Sequence, residues 1–455
     1  MKPHWVSVLL IVCLLWPPAI WGQDGEPAGV LTLEQAIDEA LANHPLIEAA
    51  LEMRLEAEAG GKSAAADLLP KISTSYSYNR LHNEPYATFG PGSFIISDDD
   101  VFTWDVTAVQ PLFTGFALTT RKKIAGLESA GREVERQQVM LEVVQNVKVA
   151  YARILLARRQ LAVAGQEVEN LSAHLRDAGY LYDQGMIAYN DLLQSQVALA
   201  QAQQQQVRTR QQLEVAKAAL NVLLNRDIGA DHAILDLAVE PAVSDQLDQL
   251  IAEAVAQRPE LRYLEVKAQQ AELAVKLARS SYYPTVSLVG RYEQSGHNAA
   301  ASENDYRNSD TASIGVQADW QLFEWGKRPA EVRRKLHALN ALRKNVEEAA
   351  NRVSLEVKTA YSALQVTVEN VKTAEAALEQ AREHYRITTL QYQQQVATST
   401  AVLDASTFLS RAENNYYGAL YGYLISWAEL ERAVGRNVDI RVKHSDGEQE
   451  EGQHG

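Results

Sequence analysis

The stretch LLPKISTSYSYN, residues 68–79, changes its periodicity at Pro70. Before the proline the pattern is helical. After it the period is two: Ile72, Thr74, Tyr76 and Tyr78 fall on one face and Ser73, Ser75, Ser77 and Asn79 on the other. The same switch returns 214 residues later in YYPTVSLVGRYE, residues 282–293, where Val286, Leu288, Gly290 and Tyr292 oppose Thr285, Ser287, Arg291 and Glu293.

Each of these strands is followed by a second. Phe102, Trp104, Val106 and Ala108 alternate with Thr103, Asp105 and Thr107; Ala312, Ile314, Val316, Ala318 and Trp320 alternate with Ser313, Gly315, Gln317 and Asp319. The reading predicts strands over about 71–80, 101–111, 285–294 and 311–322. Ten-residue strands edged with aromatics, apolar on one face and polar on the other, fit an outer-membrane β-barrel; a half-buried sheet in a soluble protein gives the same alternation. Four strands are too few to close a barrel, and an open edge in lipid leaves backbone groups unpaired, so the barrel reading requires oligomerisation. The polar loops Leu81 to Asp100 and Ser295 to Asp310 suit the external side, with Asn298 exposed there.

The repeat extends well beyond the strands. At 214 residues Leu33, Gln35, Ile37, Glu39 and Pro45 meet Leu247, Gln249, Ile251, Glu253 and Pro259; at 210 residues Leu112, Phe113, Tyr151, Tyr182 and Arg226 meet Leu322, Phe323, Tyr361, Tyr392 and Arg436. So long a period means two copies of one large unit, because solenoid repeats run to about 20–50 residues. Thr32 reads as the N-cap of a short amphipathic helix. The longest elements follow Gly115 and Gly326 and reach Tyr182 and Tyr392 without an interior proline. From Val332 to Tyr385 an apolar seam steps by four and three, broken only by Arg343 and Thr367, which calls for knobs-into-holes packing. At about 1.5 Å per residue such helices span on the order of 100 Å. Returning helices follow breaks at Gly185 to Asn190 and Gln395 to Thr400, and match the long ones only if the helix before each strand pair is stacked on them end to end.

The chain opens on Lys2, an apolar run from Val6 to Trp16 and a small residue, Gly22, which reads as a secretory signal over 1–22. The one cysteine, Cys13, lies inside it, and acylation there is disfavoured by Val12. The first copy then occupies 23–240 and the second 241–440, before a disordered acidic tail over 441–455. A formal charge of −15 with no basic stripe argues against nucleic acid as a partner. The ten histidines are scattered, no carboxylate pairs with one as zinc requires, and no phosphate loop or nucleophile constellation is present. Neither catalysis, cofactor nor metal is expected.

In their order these features resemble the TolC-like outer-membrane efflux protein family. The resemblance rests on LTLEQAIDEALANHP and LDQLIAEAVAQRPEL, the strand-entry LLPKIS and YYPTVS, and the strand-exit QPLFTGF and QLFEWGK. It implies a fold that is mainly α with a membrane β-barrel: a homotrimer whose twelve-stranded barrel in the outer membrane continues as a periplasmic α-barrel of coiled-coil helices. It implies an exit duct, in contact with outer-membrane lipid, for an inner-membrane pump of RND or ABC type docked through a periplasmic adaptor protein.

The resemblance places function at the two helical tips. Asp191 matches an aspartate of a closed-state network, Tyr392 a tyrosine of that network and Asp404 one of two aspartates ringing the pore. Gln184, Gly185, Met186, Gln394, Gln395 and Val396 would face the adaptor. The plainer readings are an N-cap for Asp191, a solvated face for Asp404 and ordinary turn residues for the six. The second tip departs from the pattern: Gln395 stands for the turn glycine, Ala397 for an arginine and Ala401 for the other ring aspartate. Ser399 is expected to be accessible there. A soluble periplasmic coiled-coil adaptor or scaffold is the rival reading; it explains the heptads but not four alternating strands.

Overall fold

A computed structural model describes residues 30–242, 246–436 and 442–443. The expected signal, Cys13 and the tail beyond Lys443 lie outside the described residues. In chain order the elements are α1 (Leu33–Asn43), α2 (Pro45–Ala66), β1 (Lys71–Arg80), β2 (Tyr86–Phe89), β3 (Gly92–Ile95), β4 (Asp100–Thr114), α3 (Ala117–Asp183), α4 (Tyr189–Leu223) and β5 (Ala238–Val239). There follow α5 (Leu247–Gln257), α6 (Pro259–Arg279), β6 (Thr285–Gly296), β7 (Asp310–Asp319), α7 (Lys327–Gln393), α8 (Ser399–Val434) and β8 (Val442–Lys443). Most of the chain is helical.

Local chemistry sets the starts. Thr32 caps α1 in a reciprocal box: its hydroxyl accepts from the Gln35 N–H at 3.2 Å, and the Gln35 side chain accepts from the Thr32 N–H at 3.0 Å. Pro45 and Pro259 open α2 and α6, where the missing N–H costs nothing. The two 67-residue helices, α3 and α7, each span about 100 Å. α2 lies along the first part of α3, where Arg54 faces Glu133, and α4 returns along the second. At 22 and 35 residues, α2 and α4 are shorter than end-to-end stacking requires to match α3.

The main core sits midway along the long helices, where α1, α5 and the segment around Ile234 wrap them. Val147, Tyr151, Leu155, Leu220, Leu250, Val357, Leu364 and Tyr421 are fully buried there. The Tyr151 hydroxyl lies 3.0 Å from the Leu31 carbonyl and 2.7 Å from that of Leu235, fixing the wrapping segments to α3. Two ion pairs mark matching places: Arg226 with Glu39 at 2.5 Å and Arg436 with Glu253 at 2.8 Å.

The sheet runs β1-β4-β6-β7, all antiparallel. Its register sets Tyr76 opposite Trp104, Val106 opposite Tyr292 and Leu288 opposite Val316, so the apolar sides of all four strands share one face. That face is bare: Ile72, Tyr76, Ile314 and Val316 are exposed. The other face is polar and carries the Asp105–Arg291–Glu293 chain of charges. The sheet is open, with β1 and β7 as edges.

Some details depart from the sequence reading. β4 runs on to Thr114, past a register shift between Pro111 and Phe113, whereas β7 stops at Asp319 and leaves Trp320 to Leu322 outside it. The loop after β1 contains the hairpin β2–β3. Val442 and Lys443, within the span expected to be a disordered tail, pair with β5. In α7 the buried seam includes Val353, Val357, Leu364, Val371 and Leu378, but Val368 rather than Thr367 is buried and Arg343 turns outward to Glu272.

Candidate functional site

The helical hairpins end in two turns of one geometry. After α3, Gly185 adopts φ +70°; its N–H donates to the Tyr182 carbonyl at 2.8 Å and that of Met186 to Leu181 at 2.8 Å. After α7, Gln395 adopts φ +63°, its N–H donating to Tyr392 at 2.9 Å and that of Val396 to Gln391 at 2.8 Å. A left-handed backbone costs a residue with a Cβ about 1 kcal/mol, so the second tip holds with glutamine a shape the first holds with glycine. Gln184, Gly185, Met186, Gln394, Gln395 and Val396 are all exposed. The two turns touch: the Gln395 amide reaches the Met186 sulfur at 3.0 Å.

Just inside the tips, all four long helices contribute to one buried polar cluster. His174 of α3, Ser195 of α4, Tyr392 of α7 and Ser399 of α8 are each nearly inaccessible. His174 Nε2 lies 2.8 Å from Ser399 Oγ, which lies 3.2 Å from Ser195 Oγ, and Ser195 donates to the Asp191 carbonyl at 3.0 Å. One proton order satisfies all three contacts: neutral His174 donates to Ser399, Ser399 to Ser195, and Ser195 to the backbone. The imidazole also packs on Tyr392 at 4.8 Å between ring centroids.

Burial pushes the His174 pKa below its ordinary value, against the nearby Asp177 carboxylate, which acts to raise it. Burial raises that of Tyr392; Ser399 opposes this, and Asp177 and Asp191 add to it. The Tyr392 hydroxyl is enclosed and completes no hydrogen bond of good geometry among the described residues, although the Ser399 hydroxyl lies close enough to oppose the rise in its pKa.

Tyr392 and Asp191 are therefore brought to one locus, whereas Asp404 is not: it is exposed on α8, beside the buried Ala405 and Ser406. Asp191 is not an N-cap. That position is Ala188, which offers no side-chain oxygen, and Asp191 sits in the first turn of α4, where its charge faces the helix dipole favourably. Ser399 is buried rather than accessible. The sequence reading missed His174, Ser195 and Ser399. A signal existed for the first, since His174 and His384 share the 210-residue spacing; nothing in the spacing marks the serines, whose partners come from other helices.

Comparison with known proteins adds the following. A model described as outer membrane efflux protein matches residues 36–226 and 250–436. The chain is 26% identical to the alkaline protease secretion protein AprF of Pseudomonas aeruginosa, over 89% of this chain and 84% of that protein. It is 21% identical to the outer membrane protein TolC of Vibrio cholerae, over 92% of each. The solved structure of CusC superposes with a TM-score of 0.75 at 18% identity, covering 89% of this chain and 92% of that one. That likeness concerns the fold.

Proposed function

Taking as premise that the chain belongs to the outer membrane efflux protein family, which it matches along both halves, we propose that it is the outer-membrane exit duct of a tripartite efflux or secretion system. The observation that carries this reading is the four-stranded sheet with one exposed apolar face and one charged face, set on helices about 100 Å long. A soluble adaptor has no use for such a sheet.

The finer reading is as follows. The chain is two tandem copies, and three chains close a twelve-stranded barrel whose apolar face meets lipid and whose helices form a periplasmic α-barrel. The closing device is the tips, where Tyr392 and Asp191 belong to the seam between hairpins and Asp404, exposed in one chain, forms a carboxylate ring with its copies. Such a ring favours cations. The six exposed turn residues meet the adaptor, and the pump behind it supplies the energy, so the duct itself is passive.

Purified protein added to a planar lipid bilayer tests the reading. Discrete conductance steps are expected, together with cofractionation of the native protein with outer membranes. A protein that yields no steps and fractionates with soluble periplasm would overturn it.

A further inference from the structure

A cavity of about 580 Å³ opens where the two halves of one chain meet. Leu41 of α1 and Met140, Leu141 and Val144 of α3 line it from the first half, and Ala256 of α5 and Pro259 of α6 from the second. These walls are apolar. The polar part of the lining is Gln137, Gln257 and Arg262. Small-molecule sites run to about 300–1,000 Å³ and combine an apolar wall with a few polar groups, as this lining does.

The repeat provides an internal comparison, because each of these positions has a counterpart in the other copy. At 210 residues Met140, Leu141 and Val144 correspond to Ala350, Asn351 and Ser354; at 214 residues Arg262 corresponds to Glu48. Between and beside them the repeat is kept. Val143 and Val147 recur as Val353 and Val357, all four buried, and Pro259 recurs as Pro45. The unit therefore folds without three larger apolar side chains and a cation at these places, and only the copy with the cavity has them.

Arg262 is exposed, and its Nη1 donates to Gln137 Oε1 at 3.3 Å. No carboxylate pairs with it among the described residues; Glu260, two residues before it, lies 3.0 Å from Arg258. A guanidinium without a carboxylate beside an apolar wall complements one chemistry. We infer that this cavity binds a single-chain amphipathic anion, its alkyl tail against Met140, Leu141 and Val144 and its anionic head on Arg262. The planar fork of a guanidinium matches a carboxylate, and the flexible Met140 adapts the wall to a tail.

Position decides the source of such a ligand. Gln137, Met140 and Val144 precede Tyr151 by 14, 11 and 7 residues, spacings that return to one face of a helix. The Tyr151 hydroxyl holds the wrapping segments through the Leu31 and Leu235 carbonyls, so the cavity lies on the wrapped face of α3. It is about 30–40 Å along the helix from Ala117, where α3 starts below the strands. On the duct reading this is beyond a lipid seated at the bilayer edge, which makes the ligand a free amphiphile of the periplasm. The cavity itself needs only one chain and stands apart from the trimeric reading.

Equilibrium dialysis of tritiated dodecanoate against the protein in phosphatidylcholine nanodiscs tests this, with protein-free discs correcting for partition into lipid. One saturable site per chain is expected. Arg262→Glu and Leu141→Asn each install the residue of the other copy, and each is expected to weaken the site at least about tenfold while the variant keeps the wild-type circular dichroism. Dodecyltrimethylammonium, with the same tail and the opposite charge, is expected not to compete. Binding that never saturates above the protein-free level, or that survives both variants, overturns the site. Competition by dodecyltrimethylammonium as strong as that of unlabelled dodecanoate overturns the anionic assignment, and a site that vanishes in phosphatidylglycerol discs gives the cavity to a bilayer lipid instead. A dodecanoate analogue with a diazirine in its tail supplies a readout free of substitutions: cross-links within 137–144 or 256–262 are expected, and cross-links confined elsewhere overturn the site. Bilayer conductance, which tests the duct reading, is independent of these outcomes.

Discussion

His174→Ala should loosen the tips. The imidazole is buried among α4, α7 and α8, and its deletion removes the contact with Tyr392 and the hydrogen bond to Ser399. Losing a buried ring costs about 2–3 kcal/mol in packing, since full phenyl deletions cost about 3–5, and the hydrogen bond adds about 1. About 3 kcal/mol amounts to a factor on the order of 100 in the closed-to-open ratio of the seam. Amide hydrogen exchange read by mass spectrometry should therefore speed up on that order in 178–195 and 388–406, with the segments around Tyr151 unchanged. Ser399→Ala should cost about 1 kcal/mol, and the double variant less than the sum, because both remove one shared bond. The wild-type tip should also respond to acid. His174 is held below its ordinary 6.5, so an opened seam takes up more protons; the stabilisation is complete above about pH 6.5 and is lost as pH falls below it. Asp177 on its own helix and Asp191 on α4 are the carboxylates near this cluster, and Tyr392 faces it from α7. Unchanged tip exchange in His174→Ala, or an acid response that persists in it, would refute the reasoning.

Three further outcomes follow from the same geometry. Gly185→Ala should cost the first tip about 1 kcal/mol, because only the left-handed backbone and no neighbour opposes the methyl, while Gln395→Gly should be neutral or slightly stabilising; local exchange at each turn reads both. Burial pushes the Glu356 carboxyl up, but the hydrogen bond and charge of Arg258 and the charge of Arg432 outweigh this and hold it below its ordinary range. Glu356→Gln leaves the nearly inaccessible Arg258 with Glu260, at 3.0 Å, as its one carboxylate beside the Ala433 carbonyl at 3.3 Å, and should cost about 2–4 kcal/mol in chemical denaturation; the wild-type contribution is present above about pH 4.5 and is lost as pH falls through the depressed value. Asp404→Asn should lower the cation-to-anion permeability ratio given by the reversal potential across a salt gradient, and an unchanged ratio would place Asp404 away from the pore.

What the sequence made legible is what periodicity encodes. The alternation of Ile72, Thr74, Tyr76 and Tyr78 and the seam from Leu339 to Leu378 each report a medium or a partner repeated along an element, so each is written many times over. Single events are written once. The hairpin β2–β3 has four residues per strand, too few to alternate visibly. The unequal ends of β4 and β7 depend on whether another strand lies alongside, which identical local patterns do not reveal. Thr367 yields its place in the seam to Val368, because an ideal α-helix drifts against a strict heptad over so many turns. At the tips the resemblance directed attention to Tyr392 and Asp191, and the structure brings them together. It gave no hint of His174, Ser195 and Ser399, whose meeting depends on four helices converging, nor that Gln395 would hold a glycine's backbone.

The most direct test of the account is where the two ends of the molecule lie. Phe89→Cys, in the strand loop and 86% exposed, and Val396→Cys, at a helical tip and 75% exposed, are each placed in a chain without Cys13 and treated with a membrane-impermeant thiol reagent. The account predicts that Phe89→Cys labels on intact cells and that Val396→Cys labels only after the outer membrane is permeabilised. If both stay silent until permeabilisation, the chain does not span that membrane and the exit-duct account is contradicted.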